Sequence, residues 1–62
     1  MRDEIEFSIL GNDGYYIGVE DGELCEKLRL EATRLSTRAE AEILLATAQK
    51  KYPTKTLEIV TI

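Results

Sequence analysis

A two-layer α+β fold, with one helix packed on a sheet ordered 3-2-1-4, is what this sequence predicts. Two period-two segments, "EIEFSIL" and "YYIGVE", supply a β-hairpin. One helix is bounded by a capping box and a proline, and a β-branched segment, "KTLEIVTI", closes the chain. At 62 residues, 44% apolar and 32% charged, residues 1–62 read as a single small globular domain.

In the first strand Ile5, Phe7 and Ile9 point to one face, while Glu4, Glu6 and Ser8 point to the other. "GNDG" offers residues that tolerate positive φ and reads as a hairpin loop. The second strand continues the alternation, with Tyr15, Ile17 and Val19 on the buried face and Tyr16 on the open one. Asp21-Gly22 marks the next turn. The segment that follows is ambiguous. A helix would gather Leu24, Cys25, Leu28, Ala32 and Leu35 but strand Leu30 in water, whereas Leu28, Leu30 and Ala32 alternate with polar neighbours. The alternation predicts a strand from Lys27 to Arg34, approached through residues 21–26.

Thr37 and Glu40 then form a capping box that opens a helix from Arg38 to Lys51 or Tyr52. Lys50 and Lys51 suit its negative C-terminal end, and Pro53 prevents continuation. The order is therefore β-β-β-α-β. A meander makes the third strand parallel to the first, and a returning helix makes the last parallel to both. The crossover rule and short connections then place the last strand beside the first. The expected core is Ile5, Phe7, Ile9, Ile17, Val19, Leu28, Leu30, Leu44, Leu45, Leu57 and Ile59, with Ala41 and Ala48.

Composition narrows function more by exclusion than by motif. The net charge of −4 argues against direct nucleic-acid binding, which draws on clustered Lys and Arg. No apolar run reaches the ~20 residues of a membrane span, and Met-Arg-Asp-Glu is not a signal-peptide pattern, so a cytoplasmic protein is expected. The sequence has no histidine, and its single Cys25 lacks the usual activating base. Glu20, Asp21, Glu23 and Glu26 do not have the ligand spacing of an EF-hand. "GNDG" follows no Walker-type pattern. No catalytic, cofactor-binding or metal-binding residue is assigned, and a non-enzymatic protein without cofactors is expected.

The helix suggests where a partner binds. At ~100° per residue, Ala41, Leu44, Leu45, Ala48 and Tyr52 form the core-facing stripe. Ala39, Ile43, Ala46 and the stem of Lys50 fall opposite, as a second, narrow apolar stripe. Alanine is also simply a good helix former, so ordinary helix surface is the competing reading. Val60 and Ile62 of the last strand turn away from the helix and, at a sheet edge, could join a contact made by strand addition. Because domains this small often rely on oligomerisation, a homodimer or another protein partner is the leading expectation. An alternative is an acidic nucleic-acid mimic, with Glu4, Glu6, Glu20 and Glu31 on the open sheet face and Lys27 and Arg29 interrupting them.

The second half, "ATRLSTRAEAEILLATAQKKYPTKTLEIVTI", resembles a pattern in small phage and prophage proteins of unknown function. In that pattern a strand leads into Ser-Thr-x-x-Glu-Ala, a helix, a Tyr-Pro break and an Ile-rich strand. The resemblance implies a phage or bacterial origin and a binding or accessory role, and it carries over no catalytic residue.

Overall fold

A computed structural model describes residues 5–62; the outward position expected for Glu4 lies outside them. Strands β1 (Phe7–Gly11), β2 (Tyr16–Glu20) and β3 (Glu23–Lys27) are followed by a 3-10 turn at Arg29–Glu31, helix α1 (Arg38–Lys51) and strand β4 (Leu57–Thr61). The sheet order is β3-β2-β1-β4, which is the 3-2-1-4 arrangement expected from the sequence. Among the described residues no helix is long and apolar enough to cross a membrane.

Local chemistry sets each boundary. Gly11 N donates to Tyr15 O at 2.8 Å, and the Asp13 carboxylate accepts from Tyr15 N at 3.2 Å, which closes the first hairpin over three residues. Asp21 and Gly22 have φ of 53° and 79°, the pair of left-handed residues that a type I′ turn requires. Thr37 Oγ1 accepts from Glu40 N at 3.2 Å, and Thr37 N donates to Glu40 Oε1 at 3.3 Å, so the capping box is complete. Tyr52 ends the helix, its N–H still bonded to Ala48 O at 2.9 Å.

The third strand differs from the sequence reading. The two-residue turn starts pairing at once with Glu20↔Glu23, and pairing runs out at Tyr16↔Lys27 because β2 begins there. Residues beyond Lys27 have no strand to continue against. The alternating Leu28, Leu30 and Ala32 therefore belong to a 3-10 turn and its flanks, not to a strand from 27 to 34. Leu28 is 62% exposed and Leu30 86% exposed, so neither is a core residue. Ile5, Tyr15 and Val19 are likewise exposed, against the expectation of burial.

The path of residues 28–36 also reverses the last strand. Ile17 packs toward Ala41 and Ala48, so its neighbour Gly18 faces away from the helix. A Cβ on Gly18 would lie 3.0 Å from Glu31 O, which places the 3-10 turn over that opposite face. The chain then enters the sheet. Leu10↔Tyr16 sets the β1–β2 register, in which Phe7 would oppose Val19. Instead, Phe7 exchanges bonds of 2.8 and 2.9 Å with Leu35, and Thr33 N donates to Ile17 O at 3.1 Å. Residues 33–35 thus fill a fork between β1 and β2, and Val19 pairs with Leu24 of β3 but not with β1.

This return stretch uses the residues after β3 to travel back along the sheet before α1 starts. The helix consequently runs in the sense opposite to the expected one, and β4 comes down antiparallel to β1, from Phe7↔Thr61 to Gly11↔Leu57. The expected parallel pairing is corrected by that register.

Ile9, Ile17, Ala41, Ala48 and Leu57 form the core between sheet and helix, with Phe7, Leu24, Leu35, Leu44, Leu45, Tyr52 and Ile59 packed around it. On the other face Ser8 is wholly buried beneath the return stretch, and its Oγ donates to Thr33 O at 2.9 Å. A hydroxyl in that position must find an acceptor, since an unpaired one costs about 1–3 kcal/mol.

Candidate interaction surfaces

The back of α1 is open. Ala39, Ile43, Ala46 and Lys50 are all exposed, and Ile43 keeps 69% of its surface accessible. They share the side opposite Ala41 and Ala48, which are fully buried. Val60 and Ile62 are half-buried. Val60 opposes Ser8 and so lies on the helix-free face of the sheet. The six residues therefore occupy two surfaces on opposite sides of the molecule, and the fold does not bring them together. Leu28 and Leu30, which alternation assigned to the core, add exposed apolar area that the sequence reading missed.

Charged side chains form crossing ties instead of a one-sign field. Lys27 pairs with Glu20 across β2 and β3, and Arg34 lies 3.6 Å from Glu6. The hydrogen bond from Lys27 is the main cause that holds the Glu20 carboxyl below its ordinary value, and the same bond raises the Lys27 ammonium above its own. Lys55 bonds both Glu26 and Asp13, and its ammonium sits 5.3 Å from the Tyr52 ring centre. The Lys55 bond, followed by that from Tyr15 N, lowers the Asp13 carboxyl. Hydrogen bonds from Ser36 and then Thr37 do the same for Glu40 at the helix start.

A depression of about 340 Å³ is lined by Leu10, Gly11, Asn12, Gly14, Thr56 and Glu58. The Asn12 N–H is bonded to Thr56 O at 2.9 Å, and its Oδ1 accepts from Thr56 N at 3.4 Å. That leaves one exposed carboxylate, Glu58, as the titratable lining group. Among the described residues no cluster of three or more His, Cys, Asp or Glu side chains could hold a metal ion. Cys25 is a half-buried free thiol opposite Gly18. No protein-family model, curated protein or solved structure matches this chain.

Proposed function

We propose that this protein is a small non-enzymatic interaction module that self-associates. The observation that carries the reading is the imbalance between its core and its surface. Ile9 and Ile17 are the only large apolar side chains buried completely among the described residues, while Leu28, Leu30 and Ile43 stay in water. A domain of this size gains stability when a partner covers such surface. A cytoplasmic setting, and a phage or bacterial accessory role implied by the resemblance, belong to the same proposal.

Sedimentation velocity across a wide concentration range tests it, with wild type beside Ile43→Glu. Wild type should shift from monomer toward dimer as concentration rises. If the helix back is the contact, the substitution should abolish that shift; if the last strand is, the substitution should leave it intact. A folded monomer at every concentration overturns the proposal. The alternative of a nucleic-acid mimic draws less support, because Glu20 and Glu6 are each tied to a cation. Binding by a mimic would weaken steeply with salt.

A further inference from the structure

The two edges of the sheet are finished differently. The type I′ turn makes Glu20↔Glu23 a hydrogen-bonded pair, so Gly18↔Cys25 and Tyr16↔Lys27 are too, and Leu24 and Glu26 turn their backbone groups outward. That β3 edge is guarded. Lys51 Nζ donates to Leu24 O, Lys55 bonds the Glu26 carboxylate, and Glu23, Glu26 and Lys27 charge the strand. Charged side chains and covered carbonyls are how proteins block strand addition.

Among the described residues the β4 edge is less guarded, with Glu58 its single charge. Asn12 N bonds Thr56 O and Ile62 N bonds Glu6 O, so alternate residues of β4 face β1, and Leu57, Ile59 and Thr61 present their N–H and C=O groups outward. Among the described residues no side chain bonds these groups. The strand "LEIVT" has no Lys, Arg or Pro and pairs with β1 without a bulge. α1 packs on β1 and β4, which places it beside this edge.

We infer that a second copy of the chain adds to β4, antiparallel, with a two-fold axis midway between Ile59 and the Ile59 of the copy. The inference rests on the self-association reading and specifies its contact. In this register Leu57 meets the copy's Thr61 and Ile59 meets the copy's Ile59, through about six N–H···O bonds. The single charge of β4, Glu58, lies opposite the copy's Val60, so no carboxylates face each other. An axis perpendicular to the sheet keeps both helices on one face of a continuous eight-stranded sheet, and the contact is isologous, so it closes as a dimer. Adding β4 to the β3 edge of another molecule would be heterologous and would have to displace Lys51 from Leu24 O.

Amide exchange read by NMR at low and high concentration tests the contact, together with sedimentation of Thr61→Pro. Proline is tolerated at an outward N–H of an edge strand and leaves the β1–β4 ladder intact. The outward amides of Leu57, Ile59 and Thr61 should become protected as concentration rises, with Leu24 and Glu26 unchanged. Thr61→Pro, retaining the wild-type far-UV spectrum, should associate on the order of tenfold more weakly or less still. Association that persists in Thr61→Pro while the β4 amides exchange freely overturns the edge contact and leaves the self-association reading standing. If Thr61→Pro does not fold, the wild-type exchange pattern decides alone. Monomer at all concentrations overturns both.

Discussion

Ile9→Ala is expected to remove most of the stability of the isolated domain. Ile9 is wholly buried between α1 and the middle of the sheet, and truncating a core isoleucine costs about 2–5 kcal/mol. At roughly 0.05–0.15 kcal/mol per residue, a domain of 62 residues has about 3–9 kcal/mol in all. The loss is therefore a large fraction of the total, and the core has few large side chains that could repack into the gap. Urea unfolding followed by far-UV circular dichroism should show the midpoint fall sharply or the native baseline disappear. Leu30→Ala is the internal contrast. Its side chain is 86% exposed, and the same experiment should shift by no more than about 0.5 kcal/mol. Equal effects at the two positions would contradict the assignment of the core.

Gly18→Val should be the next most damaging change, for a reason on the other face. A Cβ there would stand 2.6 Å from Lys27 Cγ and 3.0 Å from Glu31 O. The lysine stem can shift only by disturbing its pair with Glu20, and Glu31 O is backbone, so the 3-10 turn must lift. Valine adds two methyl groups beyond that Cβ. Overpacking of this kind costs about 1–3 kcal/mol. The turn is continuous with Thr33, whose carbonyl satisfies the buried Ser8 hydroxyl, so the damage should reach the β1–β2 fork. Urea unfolding measures the cost, and chemical-shift changes should concentrate at residues 28–35. A variant as stable as wild type would mean that the return stretch does not lie on Gly18.

Much of this architecture could be read from the chain because its signals are local. The capping box of Thr37 and Glu40 and the stop at Pro53 bound α1 at its two ends, Arg38 and Lys51. The strand order also follows, since it depends on short connections. Alternation does not place the third strand, because it reports a pattern but not a partner. Leu28 and Leu30 alternate as a strand would, yet β2 begins at Tyr16, opposite Lys27, and offers them no partner. The early end of β3 accounts both for the exposure of these two leucines and for the antiparallel direction of β4. The open back of α1 was legible, since helical periodicity alone separates Ile43 from Ala41. The guarded and bare edges were not. Lys51 reaches Leu24 across 27 residues of sequence, and Lys55 reaches Glu26 across 29.

The most direct test of the central claim is the urea midpoint of the wild type at protein concentrations about a hundredfold apart. Self-association of the folded state stabilises it by mass action, so the midpoint should rise with concentration. A midpoint that stays fixed while the transition remains cooperative would contradict the claim, because this small core would then be sufficient alone.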